Sequence, residues 1–105
     1  MLEQIAADQL AALGNRTRLR VFRLLVRTGR NGLNFGDVQT QLDIPASTLA
    51  HHIGILAKNG LIIQHRTGRE SISCANYASM NDLIAFLGHA CCEGVDHKHL
   101  RNTAS

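Results

Sequence analysis

Apolar residues recur at helical spacing through most of the chain. Leu2, Ile5, Ala6, Leu10 and Leu13 follow mainly three- and four-residue steps, which predicts an amphipathic helix over residues 2–13 that stops at Gly14. Over residues 16–28, Leu19, Phe22, Leu25 and Val26 make one apolar face while Val21 and Leu24 add a second. A helix that is apolar on two sides needs neighbours on both, so this one is expected at the centre. Phe35, Val38 and Leu42 predict a short helix over 35–42, and Pro45 starts a turn. Ser47 opens a fourth helix running to Asn59, with Leu49, Ile53 and Leu56 inward and Gly60 as its stop. The period then shortens. Residues 61–66 and 70–75 are β-rich runs joined by Thr67-Gly68-Arg69, with Ile63 and His65 alternating against Ile72 and Cys74, which predicts a hairpin. Helical spacing returns over 79–92, where Met80, Leu83, Ile84, Leu87 and Cys91 share a stripe. The expected organisation is one domain over 1–94 followed by a polar tail, 95–105, rich in His and Lys.

Two short helices joined by a tight turn at residues 43–46, followed at once by a basic-tipped hairpin, are in the order of a winged helix-turn-helix. The predicted fold class is mainly α with a small β-hairpin, dimeric through the first and last helices. Steps of about 100° place Ser47, His51, Gly54 and Lys58 on the outer side of the fourth helix, with Thr48 and Ile55 beside them. That face is short, polar and free of acid. A helix that enters a major groove about 12 Å wide must carry small polar side chains near its N-terminus, and Ser47, Thr48 and His51 meet that need. Arg66 and Arg69 flank the hairpin turn, within reach of phosphate or an adjacent minor groove, where they would position more than specify. His51 and His52 project about 100° apart on a helix and converge poorly on one metal ion, so His52 reads as a half-buried packing residue.

Composition adds a reason for dimerisation. At 105 residues, with no Trp, one Tyr and three Phe, the core must be aliphatic and thin for its surface. Leu2, Ile5 and Leu10 together with Met80, Leu83, Ile84 and Leu87 are more apolar surface than one such domain covers easily. The formal charge of +3 is concentrated rather than spread, because Arg16, Arg18, Arg20, Arg23, Arg27 and Arg30 share one segment without acid. Most of these are expected on a solvated helix face, with at most two touching phosphate. No apolar run approaches the roughly 20 residues that span a bilayer. The first 13 residues carry Glu3 and Asp8 and no basic n-region, so a cytoplasmic protein without a secretory signal is expected. Three cysteines, two of them adjacent, do not make a secreted disulfide framework, and reduced thiols are expected. Nothing in the residue spacing builds a catalytic triad, a phosphate-cradling glycine loop or a carboxylate pair, so the chain does not read as an enzyme. A winged-helix module that contacts protein rather than DNA stays open as an alternative.

Residues 10–20 (LAALGNRTRLR), 45–62 (PASTLAHHIGILAKNGLI) and the hairpin tip Arg66-Thr67-Gly68-Arg69 together resemble the ArsR-type winged-helix repressors, the arsenic- and metal-responsive family. The likeness covers roughly residues 2–94. It implies a homodimer built from the first and last helices, bound to an imperfect inverted repeat over its own promoter and released by an effector. It also implies that bases are read from Ala46, Ser47, Thr48, Ala50 and His51. Ala46 and Ala50 stand where the family often has Gln and Ser, which removes two hydrogen-bonding groups.

The resemblance also frames the effector. The family's Cys-x-Cys site has no counterpart in residues 32–37, and Asp82 is not followed by the His pair of its zinc site on the last helix. Residues 83–94 (LIAFLGHACCEG) resemble a third arrangement, with Cys-Cys ending the last helix and a further Cys beyond; here Asp96, His97 and Lys98 occupy that region. Cys91 and Cys92 are therefore the candidate ligands for arsenite or antimonite, which favour three thiolates, or for methylarsenite, whose two free valences suit a pair. Other readings stay open beside this one. The two thiols could be packing residues with no effector at all. Zinc could be held with His89 and His97 or His99. A redox switch could join Cys91 or Cys92 of two subunits. Cys74 is expected to pack inward from the second strand of the hairpin.

Overall fold

Helix α2 (Arg16–Thr28) runs through the middle of the molecule, with Val21, Phe22 and Leu25 buried as the two-faced pattern predicts. The computed structural model describes residues 1–95. Around α2 lie α1 (Glu3–Leu13), a 3₁₀ turn (Gly29–Asn31), β1 (Leu33–Asn34), α3 (Phe35–Leu42), α4 (Ala46–Lys58), β2 (Ile62–Thr67), β3 (Glu70–Ala75) and α5 (Tyr77–Gly88). The core joins the buried side of α2 to Val38 of α3, Leu49, Ile53 and Leu56 of α4, and Leu61, Ile62 and Ala75 of the hairpin.

Asparagines start three of the helices. Asn15 Oδ1 accepts from Arg18 N at 3.0 Å, Asn34 Oδ1 from Asp37 N at 2.8 Å, and Asn76 Oδ1 from Ser79 N at 3.2 Å. Each satisfies a backbone N–H that the first helical turn leaves without a partner. The cap at Asn76 starts α5 at Tyr77, two residues before the expected Ser79. The Tyr77 hydroxyl in turn donates to Val26 O at 2.9 Å, with Leu25 O at 3.3 Å, covering carbonyls at the end of α2.

The sheet has three strands in the order β1-β3-β2, one more than the expected hairpin. Two-residue β1 pairs Leu33 with Ser73 and Asn34 with Ile72, and it is too short to show any alternation in sequence. Gly32, at φ 66°, precedes it where a Cβ would collide with the Ser73 carbonyl. The hairpin register is the expected one, with Ile63 opposite Cys74 and His65 opposite Ile72. The buried face is the other one. Ile62, Ser73 and Ala75 are buried, whereas Ile63 is 50% exposed and Cys74 half-buried, its Sγ 3.7 Å from Ile63 O. Cys74 thus does not pack inward, because α2 and α3 cover the opposite side of the pleat.

At one end of the chain apolar residues of α1 are left uncovered, as expected, and at the other the extent of α5 is corrected. The buried side of α1 is Ala6, Gln9 and Ala12, while Leu2, Ile5 and Leu10 are exposed. Helix α5 stops at Gly88 rather than reaching Cys92. His89 is extended, and Ala90 (φ 59°), Cys92 (φ 66°) and Gly94 (φ 90°) adopt left-handed backbone. Leu83 is the one buried residue of α5, so no core lies beneath an added turn to hold it. Cys91 therefore does not extend the apolar stripe and lies exposed in the turns that follow.

Candidate nucleic-acid interface

The turn between α3 and α4 is built by three consecutive residues. Asp43 takes the left-handed conformation (φ 53°, ψ 55°), which a short polar side chain tolerates better than a branched one. Ile44 is buried and anchors the turn, and extended Pro45 caps α4, its carbonyl accepting Leu49 N at 2.9 Å. Helix α4 thus begins at Ala46, one residue before the expected Ser47, and ends at Lys58. Leu49, Ile53 and Leu56 fix its inner side in the core. Ala46, Ser47, Thr48, Ala50, His51, Gly54 and Lys58 are all exposed, so the structure brings the expected base-reading residues together on one open face. A Cβ at Gly54 would meet no atom within 4 Å, so packing within this chain does not require glycine there.

The middle and the C-terminal end of α4 are tied to the rest of the fold by polar contacts absent from the sequence reading. Arg18 Nε donates to Ala12 O at 2.7 Å, and its Nη1 lies 3.3 Å from His52 Nδ1. A guanidinium can only donate, so His52 accepts at Nδ1 and its ring is neutral. Burial lowers the pKa of His52, and the charges of Arg18 and His51 lower it further. The half-buried packing role expected of His52 is therefore met. Its ring centroid is 5.6 Å from that of His51, the planes 57° apart. At the C-terminal end, Gln9 Nε2 donates to Asn59 O at 2.9 Å, and Asn59 Nδ2 to Ile55 O at 2.8 Å. Asn76 Nδ2 donates to Gly60 O at 2.9 Å, and Asn76 N to Leu61 O at 2.8 Å. Helix α1 and the start of α5 thus both grip the segment that ends α4. The signal for Gln9 was its three-residue spacing from Ala6 and Ala12, which puts a polar group on a buried stripe of small residues.

The wing reverses direction through Gly68 and Arg69, between the paired Thr67 and Glu70. Gly68 has φ 64° in the first central position, the glycine-first pattern of a type II′ hairpin turn. Arg66 and Arg69 are exposed beside it. Asn34 Nδ2 reaches Glu70 Oε1 at 3.3 Å, so the residue that caps α3 also touches the wing. Of the six clustered arginines, Arg18 is committed to the interior contacts above, while Arg16, Arg20, Arg23, Arg27 and Arg30 are exposed.

Cys91 and Cys92 are exposed, with their Sγ atoms 3.2 Å apart. His89 is exposed at the end of α5. Among the described residues no group of three or more His, Cys, Asp or Glu side chains is placed to hold a metal ion. Asp96, His97 and His99 lie outside the described residues.

The helix-turn-helix domain family model matches residues 13–65, half of the chain, from the end of α1 into β2. The chain belongs to this helix-turn-helix family. No curated protein matches it. Among solved structures, this helix-turn-helix protein is similar to an ArsR-like transcriptional regulator from Rhodococcus sp. RHA1. The TM-score is 0.73 at 24% identity, over 96% of this chain and 89% of that one. A homodimeric winged helix-turn-helix DNA-binding domain from Mycobacterium bovis, of a possible ArsR-family regulator, gives 0.67 at 20% identity, over 90% and 84% of the two chains. A transcriptional regulator homologue from Pyrococcus horikoshii OT3 gives 0.62 at 26% identity, over 74% and 79%. The fold is thus the winged helix-turn-helix anticipated from the sequence, the fold of these ArsR-like structures. No helix among the described residues is long and apolar enough to cross a membrane.

Proposed function

We propose that this protein is a cytoplasmic, homodimeric transcriptional repressor that binds an inverted-repeat operator through α4 and the wing. The observation that carries the proposal is the open, acid-free face of α4, held at its middle and C-terminal end, with Arg66 and Arg69 presented beside it. Ser47, Thr48 and His51 would meet base edges, Ala46 and Ala50 would let the helix approach closely, and Lys58, Arg66 and Arg69 would contact phosphate. The second copy is supported by apolar residues left uncovered at the two ends of the chain, with Leu2 70%, Ile84 60% and Leu87 59% exposed. A two-fold axis through α1 and α5 would set the two recognition helices one duplex turn, about 34 Å, apart.

The test is binding anisotropy on the DNA upstream of the protein's own gene, repeated across salt concentrations. Each neutralised phosphate should contribute a slope of about 0.9 in log K against log salt. A flat response would instead favour a module that docks on protein.

As effector we propose a soft metalloid bound by Cys91 and Cys92. Two thiols 3.2 Å apart offer two soft donors with no third ligand clustered beside them among the described residues, which favours methylarsenite over arsenite or antimonite. Replacing both by Ser should leave DNA binding intact and abolish release by the arsenical; release that survives rules the pair out.

A further inference from the structure

We infer that Cys91 and Cys92 are also a reversible dithiol–disulfide couple that closes within one chain on exposure to a hydroperoxide. The inference uses the same thiols as the metalloid reading and stands without it. The Sγ atoms are already 3.2 Å apart, so bonding them asks for about 1 Å of further approach. Within the chain nothing packs against that approach, since residues 84–95 are all exposed in it. The backbone there is a run of short turns, with Cys91 N donating to Gly88 O at 3.1 Å and Glu93 N to Ala90 O at 3.2 Å. Cys92 sits at φ 66° between left-handed Ala90 and Gly94. The partner thiol is one residue away and already beside it, whereas a thiol of a second subunit would have to be brought there. The couple therefore closes within the chain rather than across the dimer.

The reaction balances with the peroxide as the only added reactant. One cysteine, as thiolate, attacks the peroxide oxygen; an S–O bond forms, the O–O bond breaks, and the alcohol or water leaves. The second cysteine then attacks the sulfenic sulfur, forming the S–S bond and expelling water. Two thiols are oxidised by two electrons and the peroxide is reduced by two. Adjacent Cα atoms are only about 3.8 Å apart, closer than the roughly 4.4–6.8 Å usual across a disulfide. The ring is consequently strained, and strained, exposed disulfides are the easily reduced ones. This is the behaviour of a sensor rather than of a staple. Closing it also withdraws both thiolates from any soft ligand, so peroxide and metalloid would exclude each other.

The experiment treats the full chain with hydrogen peroxide, blocks remaining thiols with an alkylating agent under denaturing conditions, and reads intact mass beside a non-reducing gel. The expected product runs as a monomer, is lighter by two hydrogen atoms, carries alkyl label at Cys74 alone, and reverts with dithiothreitol. Cys91→Ser or Cys92→Ser should each prevent its formation, and Cys74→Ser should not. A covalent dimer as the main wild-type product overturns the inference. So does oxygen addition without loss of hydrogen, or a disulfide that survives Cys91→Ser. Methylarsenite titration of the reduced protein is read separately. Disulfide formation without metalloid binding sinks the metalloid reading alone, and metalloid binding without disulfide formation sinks this one alone.

Discussion

Arg18 and His52 lock the start of α2 to the middle of α4. The guanidinium sits between Ala12 O, at 2.7 Å, and His52 Nδ1, at 3.3 Å. The arginine is held by a carbonyl on one side and needs an unprotonated ring on the other. An imidazolium in that place would have lost its acceptor and would face a fixed positive charge.

A pH dependence follows from this contact. Burial first, then Arg18 and His51, hold the pKa of His52 below its ordinary value of 6.5. The unfolded chain therefore binds a proton at His52 more readily than the folded one, and stability rises with pH in the interval between the two pKa values. The contribution is fully present above about pH 6.5 and is lost as pH falls toward the lowered value. Urea unfolding of the wild type and of His52→Gln, which keeps an acceptor but does not titrate, should diverge in this sense. Parallel curves would show that the contact carries no proton linkage.

Gly54 separates stability from binding. It lies inside α4 with nothing near the site of a Cβ, so Gly54→Ala should stabilise the fold by about 0.5–1 kcal/mol through the unfolded chain's lost freedom. The added methyl would stand between the helix backbone and a duplex, so operator affinity should fall. Thermal melts and anisotropy on the same variant test both halves. Unchanged or tighter DNA binding would mean that this side of α4 does not approach DNA.

Specific and general contacts should also part under mutation. His51→Ala is expected to cost about 1–3 kcal/mol on the operator and little on random DNA. Lys58→Ala and Arg69→Ala should weaken both alike, each lowering the salt slope by about 1. Equal losses for His51→Ala on both DNAs would reduce His51 to a phosphate contact.

Much of this arrangement was readable from local pattern. The α3-turn-α4 unit followed from Asp43, Pro45 and the Leu49, Ile53 and Leu56 stripe, all of which act through neighbours in sequence. The hairpin register was likewise legible from the pairing of Ile63 with Cys74. Which side of the hairpin faces the core was not, because apolar residues occupy both, Ile62 and Ala75 on one and Ile63 and Ile72 on the other. Long-range covering by α2 and α3 decides it. The end of α5 was misplaced because Cys91 completes a helical spacing in a segment where no core exists to enforce it. Gln9 was missed because its partner, Asn59, lies fifty positions on.

Gln9 gives the sharpest test of whether α1 and the recognition helix are mechanically joined. It is 2% exposed, and the Asn59 carbonyl fixes its amide so that Nε2 donates while Oε1 has no partner among the described residues. Gln9→Leu loses the donor but also removes that orphan acceptor, so it should cost little stability, within about 1 kcal/mol. Gln9→Glu should be far worse at neutral pH, by about 3 kcal/mol, because a buried carboxylate would oppose the Asn59 carbonyl. Its folded-state pKa would be raised, so the deficit should be smallest below about pH 4 and grow as pH rises through the raised value. If the strut orients α4, Gln9→Leu should still lose operator affinity while melting near the wild type. If affinity and stability both stay at wild-type values, the C-terminal end of α4 is held without Gln9, by its apolar face and Asn76.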